Sequence, residues 1–365
     1  MKKLFLLFVA SMLTLTGVKA EGESNLVATL NREGKLLAYY GPDALISAYN
    51  AAKDGDVITL SAGTFKGPST MSKNITVRGV GAWIDNNYDN YITEIKVSSY
   101  YLNIQLQNNE NEFIMEGVKI IGPVNVSGNA KKKCTFSKIY IQGKYSYTGC
   151  SFDGGSNCFP IFVNCVTSAP ISLYDGACTN SLLAGFVCRS TNETPTFQNC
   201  VIWNSEGLIN LGTWKNCVFS NCLLITNGGA SIDVSNSVHN CVAFITSNKD
   251  INIFENLTNT TNKMVADRDK FFKSSSVLKK NADDFGDLVN YVVNWDDLDR
   301  NGHGLFELSD EAKQLYKGDD GTVVGLWGGT MPFSMKPSNP RLTKCEIVPR
   351  VGDDGKLNIT IEVAQ

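Results

Sequence analysis

The chain has 365 residues, 43% hydrophobic and 19% charged, and its formal net charge is -3. That balance excludes the basic field nucleic acid requires and the polybasic surface acidic lipid attracts, so neither partner is expected. It is the composition of a packed, poorly charged globular chain.

The first twenty residues, MKKLFLLFVASMLTLTGVKA, carry two lysines, an apolar run from Leu4 to Val9 that continues to Leu15, and small or permissive residues at Val18 and Ala20. They read as a secretory signal peptide cleaved near Ala20, which makes the product periplasmic, secreted or cell-surface. The apolar stretch falls short of the roughly 20 residues a bilayer needs, and no later segment is long and apolar enough to span. The roughly 345 residues that remain suit one elongated β unit. A monomer is expected.

In YYGPDALISAYNAAKDGDVITLSAGTFKG, Pro42-Asp43 can start a helix. Ala44, Leu45, Ala48, Tyr49 and Ala52 lie on one face, and Gly55 stops it. DVITLSAGTF then reads as a first strand. A solenoid needs an amphipathic plug over the open end of its core, and this helix is placed to supply one.

Next comes a repeat. FVNCV at 162, FQNCV at 197, WKNCV at 214, FSNCL at 219 and VHNCV at 238 share an apolar residue, a variable one, Asn, Cys and an aliphatic. The short runs are rich in Val, Ile, Phe and Thr and bounded by Asn, Gly or Ser, so they read as strands. A constant local motif at irregular spacing fits a right-handed parallel β-helix, whose coils stay in register while loops of varied length bulge between them. Asparagine takes the left-handed backbone of a sharp bend, and its amide can bond to the asparagine of the next coil about 4.8 Å away. The cysteine after it points into a narrow dry interior, where a thiol behaves as a small hydrophobe. The expected ladder is Asn164-Cys165, Asn199-Cys200, Asn216-Cys217 and Asn240-Cys241. Inward cysteines put Thr167, Ile202, Phe219, Leu224 and Ala243 inward as well. The opposite phase, with Val201 and Val218 inward, stays open. Eleven cysteines in an exported chain also admit a disulfide framework.

ALISAYNAAKDGDVITLSAGTF, followed by KNITVRGVG and the Asn-Cys coils, resembles the pectin-lyase-like right-handed β-helix superfamily. The tail DGTVVGLWGGTMPFSMKPSNPRLTKCEIV resembles the closing segment of secreted β-helix proteins of Gram-negative gut bacteria. The likeness covers about residues 39–345. It implies an all-β, single-stranded right-handed parallel β-helix over 21–335, with a cap over about 39–56, coils over about 57–258 and an irregular closing segment over 259–335. After it, TKCEIVPRVGDDGKLNITIEV, with Asp354-Gly355 at its turn, reads as a C-terminal β-hairpin within 336–365. The superfamily holds polysaccharide lyases, glycoside hydrolases, esterases, adhesins and binding proteins, so the likeness specifies fold and not activity.

A lyase of this fold needs clustered acids and an Arg or Lys base. From Gly117 to Lys249 the only acids are Asp153, Asp175, Glu193, Glu206 and Asp233, and Arg189 is the single arginine. The hydrolase pattern is also incomplete: Gly302-His303-Gly304 is present, but no Asn-Thr-Asp precedes it and no Arg-Ile-Lys follows, so it reads as a turn. The catalytic residues are therefore unknown. DLDRNGHGLFEL places Asp297, Asp299 and Asn301 at alternate positions before Gly302, with Glu307 eleventh where a calcium loop has its glutamate twelfth. A polar turn and a calcium site both fit, and no other cofactor is expected. Trp203 points outward in the inward-cysteine phase, and Tyr145, Tyr147 and Tyr174 can line a lateral groove. Sugar rings stack on such aromatic faces. Two functions stand: a non-catalytic exported β-helix that binds a polysaccharide or cell-surface glycan on its lateral face, or a divergent polysaccharide lyase, with glycoside hydrolase behind it.

Overall fold

A computed structural model describes residues 26–82, 92–97, 101–128, 132–142, 150–151, 158–188, 194–204, 215–226, 231–246, 251–258, 261–273, 278–282, 289–293, 306–336, 341–347 and 359–364. It is a parallel β-helix with three sheets, and the chain visits them in a fixed order, coil after coil. Sheet I has eleven strands, sheet II ten and sheet III six. Thr76–Arg78, Thr93–Val97 and Leu102–Leu106, for example, are successive strands of sheets I, II and III, and each pairs in parallel register with the strand one coil on. The hand is the one parallel crossovers take.

Alternation within each strand builds the core. In sheet I the inward column runs Ile58, Val77, Met115, Phe136, Phe162, Cys178, Phe197, Phe219, Val238. The Phe136 and Phe162 rings stack at 5.2 Å, and those of Phe197 and Phe219 at 5.1 Å. Each of these buried rings contributes about 2–3 kcal/mol of transfer free energy. In sheet II the inward column runs Phe65, Ile95, Ile120, Ile141, Thr167, Leu183, Ile202, Leu224, Ala243, Met264. The inward-cysteine phase is therefore the one adopted, and Val201 faces out.

Helix Ala44–Ala51 buries Ala44, Leu45, Ala48 and Tyr49 against the first coil, the face its spacing predicts. The cap is larger than the sequence suggested. Strand Val27–Arg32 pairs antiparallel with Val57–Leu60 on one side and with Lys35–Tyr40 on the other, turning at Glu33 and Gly34, both at positive φ. Arg32 fixes this hairpin to the first coil through the buried Asp56, at 2.9 Å.

The closing segment is not a loose excursion. The outward column of sheet II begins with Glu94 and Lys119, turns apolar over Tyr140, Val166, Leu182, Val201, Leu223 and Val242, and ends at Lys263. Over that apolar stretch pack Phe271, Phe306, Leu308, Ala312, Tyr316, Val324, Leu326 and Phe333, which form a second hydrophobic core outside the coil. Helix Asp310–Leu315 starts on Ser309, whose Oγ accepts from the Ala312 N–H at 3.1 Å. Two antiparallel strand pairs complete the described chain: Leu278–Ala282 with Val289–Val293, and Arg341–Ile347 with Ile359–Ala364.

Candidate functional site

The corner between sheets I and II is the most regular feature of the molecule. Lys138, Asn164, Asn180, Asn199, Asn221 and Asn240 occupy it on successive coils, all with φ between 44° and 54°. Asparagine is the L residue best suited to that left-handed conformation. Each amide N–H there donates across to the next coil: Asn164 to Thr179 O, Asn180 to Gln198 O, Asn199 to Ser220 O and Asn221 to His239 O. The thiol that follows turns back and donates to the carbonyl two residues earlier: Cys165 to Val163 O, Cys200 to Gln198 O, Cys222 to Ser220 O and Cys241 to His239 O, all at 3.3–3.4 Å.

Cysteines 165, 200, 222 and 241 thus share one column, with Ser181 in the place of a thiol between the first two. Cys217 does not belong to it. Asn216-Cys217 lies at the other end of a sheet I strand, where the Cys217 N–H donates to Asn236 Oδ1 at 3.0 Å and its carbonyl accepts from Ser237. The same dipeptide serves two corners because both need a left-handed residue followed by a small inward one; Asn216 has φ 56°. Asn221-Cys222 takes the place in the ladder that spacing gave to Asn216-Cys217.

The eight cysteines whose side chains are described, Cys134, Cys158, Cys165, Cys178, Cys200, Cys217, Cys222 and Cys241, are buried and unbridged. Burial pushes the Cys158 thiol up to about 11 and the Cys165 thiol up to about 12. Cys200 and Cys241 are also driven up by burial. Cys222 sits between them and receives hydrogen bonds that oppose its desolvation. We assign the whole column as protonated, because no cation is among the groups acting on it and a lone thiolate in a dry interior is costly.

The corner amides were expected to bond to one another. Their described partners lie instead in the closing segment. Asn180 Nδ2 donates to Leu326 O and Gly328 O, each at 2.9 Å. Asn221 Nδ2 donates to Asp319 Oδ1 at 2.8 Å. Gly329 lies so close to Asn199 that a Cβ on it would stand 2.3 Å from Nδ2. Asn180 and Asn221 are thus hooks for the strap that covers sheet II, while Asn164 Oδ1 and Asn199 Oδ1 are buried without a hydrogen-bond partner.

That strap decides the fate of the predicted platforms. Trp203 does face outward, but it is 6% exposed within the second core, paired with Ile225 on the next coil. It packs under the protein's own chain and offers no ring to a ligand. Tyr174, directly after strand Ile171–Leu173, is half-buried, and Tyr145 and Tyr147 lie outside the described residues. Asp297, Asp299, Asn301 and the Gly302-His303-Gly304 turn also lie outside them. Glu307 is held by Lys313 at 2.7 Å and Lys273 at 3.2 Å, and the Lys313 hydrogen bond keeps its carboxyl below the usual range. Among the described residues no three His, Cys, Asp or Glu side chains gather as a metal site.

Sheet III carries a feature that sequence reasoning missed. Leu102, Ile104, Val124, Val126, Ile171 and Leu173 point inward, so Asn103, Gln105, Asn125, Ser127 and Ser172 point out. The outward row holds Thr70, Asn103 and Asn125 on successive coils and Ser172 two coils further on. Here an amide does bond to an amide: Asn125 Nδ2 donates to Asn103 Oδ1 at 3.2 Å. Asn125 Oδ1 and Ser172 Oγ are shielded from water and have no hydrogen-bond partner. None of the described outward positions of sheet III is charged. The signal was present as LNIQL and VNVSG, where polar residues alternate with aliphatics, but only the Asn-Cys runs drew notice.

No family model, curated protein or solved structure matches this chain. No described helix is long and apolar enough to cross a membrane.

Proposed function

We propose that this chain is an exported β-helix protein of the pectin-lyase-like kind, freed of its leader near Ala20, that binds a glycan through the outward face of sheet III. The carrying observation is the unpartnered Asn125 Oδ1, on a half-buried side chain in an uncharged row of amides and hydroxyls. An unpaired buried polar atom costs about 1–3 kcal/mol, which a ligand hydroxyl donating to it relieves. Sugar hydroxyls both donate and accept, as amides and serines do, and neither side then has to shed a charge. Tyr174, at the rim, offers a ring for stacking.

The reading is non-catalytic. Among the described carboxylates of the coils, Glu94 is engaged with Lys119 and Thr64, Glu116 with Arg78, and Asp233 with the Ser235 N–H. General acid and base work needs two such groups facing one bond.

The test is a glycan array and calorimetry on the purified protein, alongside assays for unsaturated products and reducing ends. Binding without turnover, weakened about tenfold or more by Asn125→Ala and by Asn103→Ala, is the expected result, about 1.4 kcal/mol for each lost contact. Turnover of any polysaccharide overturns the non-catalytic reading. Binding untouched by both substitutions overturns the face.

A further inference from the structure

Strand Lys35–Tyr40 ends sheet I. It pairs with Val27–Arg32 on one side, and no described strand pairs with the other. Leu36, Leu37 and Tyr40 on it are 42%, 49% and 52% exposed. They are half of the large exposed hydrophobics among the described residues; the rest, Val234, Leu315 and Met331, belong to other segments. Natural proteins guard a free edge with charges, proline or a bulge, because its open N–H and C=O groups invite another strand. Beyond Lys35 at its start, this edge carries no such guard.

We propose that the edge takes a second copy of this chain, antiparallel, about a two-fold axis at Ala38. The strand is self-complementary in that register. Ala38 faces its own copy, Leu37 faces the partner's Tyr39 and Leu36 faces the partner's Tyr40, so aliphatic meets aromatic or aliphatic. Gly41 faces the partner's Lys35, and a Cβ on Gly41 would meet nothing within 4 Å, so neither end of the pairing is obstructed.

The geometry also limits the assembly to two copies. At the far end of sheet I, beyond Ser237–His239, the edge is engaged by the chain itself: Asn262 Nδ2 donates to Val238 O at 3.0 Å, and Thr261 Oγ1 accepts from the Asn240 N–H. Pairing this edge of sheet I with its own copy about a two-fold axis closes the assembly at two. A single strand pair buries less than the ~1,000 Å² of a stable interface, so the dimer is weak and forms at high micromolar concentration.

Sedimentation velocity on the purified chain, tagged at its C-terminus, tests this over a concentration series. Wild type is expected to move from monomer to dimer. Leu37→Lys, which sets two ammonium groups beside the axis, and Leu36→Lys are each expected to weaken dimerisation tenfold or more. Both sites are exposed, so an unchanged thermal melt certifies the fold. Val234→Lys, elsewhere on the surface, is expected to dimerise as wild type does. A monomer at every concentration overturns the proposal, including one caused by a strand of another protein being the true occupant. So does a dimer that survives both leucine substitutions, or one that Val234→Lys weakens as much.

Discussion

Asn221 and Asp319, 98 residues apart, hold one another through two hydrogen bonds: Asn221 Nδ2 donates to Asp319 Oδ1 at 2.8 Å, and the Asp319 N–H donates to Asn221 Oδ1 at 3.3 Å. One asparagine therefore bends the coil with its backbone and anchors the strap with its amide. The two tasks are separable. Glycine keeps the left-handed bend but loses the amide, while alanine loses both.

Asn221→Gly is expected to destabilise the chain by about 2 kcal/mol, two hydrogen bonds at about 1 kcal/mol each. Asn221→Ala should cost roughly 1 kcal/mol more, the strain of a Cβ in the left-handed region. Both should raise the rate at which a protease cuts between 317 and 336, read by mass spectrometry. Equal melts for the two variants with an uncut strap would show that the amide is not a tether.

Gly329 meets Asn199 as tightly as any glycine meets a side chain in the described structure, and its φ is +80°. Gly321, at φ +76°, faces open space. Gly321→Ala therefore reports backbone strain alone, and Gly329→Ala reports the same strain plus the collision with Asn199. The second should cost about 1–3 kcal/mol more, in the range of overpacked sites. In a double-mutant cycle Asn199→Gly should recover at least ~0.5 kcal/mol of it. Additive melts would place the strap elsewhere.

The coil could be read from the sequence because a solenoid repeats its local chemistry. The Asn-Cys pairs gave the bend and, in the inward-cysteine phase that the structure adopts, the stacking of Ile202 on Leu224 and of Leu224 on Ala243. What could not be read is which side of each sheet meets water. VIWN, LLIT and VAFI are apolar in both phases because both faces of sheet II are buried, one by the coil interior and one by the strap. That doubling kept Val201 open as an inward residue and made Trp203 look like a platform. The strap itself, around GLWGGT, shows no periodicity: it docks through backbone carbonyls and glycines, which leave no pattern in side chains. The row on sheet III was legible in its alternation. Its unpartnered atoms were not, since they depend on register between strands 22 residues apart, as Asn103 and Asn125 are.

The thiols give a solution test of the interior. Cys134, Cys158, Cys165, Cys178, Cys200, Cys217, Cys222 and Cys241 are buried, and thiolate is the reactive form. With Cys158 pushed up to about 11 and Cys165 up to about 12, a thiol reagent at pH 8 should label none of these eight in the native protein and all of them in denaturant. Peptide mapping reads each site. Native labelling of Cys200, Cys222 or Cys241 would mean that the column is open to solvent.

The anchor of the closing segment should respond to pH. Glu307 is held down chiefly by its hydrogen bond to Lys313, and Lys313 is held up chiefly by the same bond, with Lys273 adding a second contact to the carboxylate. A carboxyl whose folded value is depressed stabilises the fold fully above its unfolded value of 4.5 and loses that contribution as pH falls through the folded one. A lysine whose folded value is raised stabilises fully below 10.5 and loses its share as pH rises through the folded value. Thermal melts should therefore show a plateau between about pH 5 and pH 10 from this pair, with a fall on either side. Glu307→Gln removes the group that titrates on the acid side and the charge that raises Lys313. The difference between wild type and Glu307→Gln should thus shrink both below pH 4.5 and above pH 10.5. A difference that stays constant from pH 3 to pH 11 would mean that Glu307 acts through packing and not through its charge. In that event Lys273→Met should leave the melt unchanged at neutral pH, whereas the ion-pair account expects a loss no larger than the ~0–1 kcal/mol of an exposed bridge.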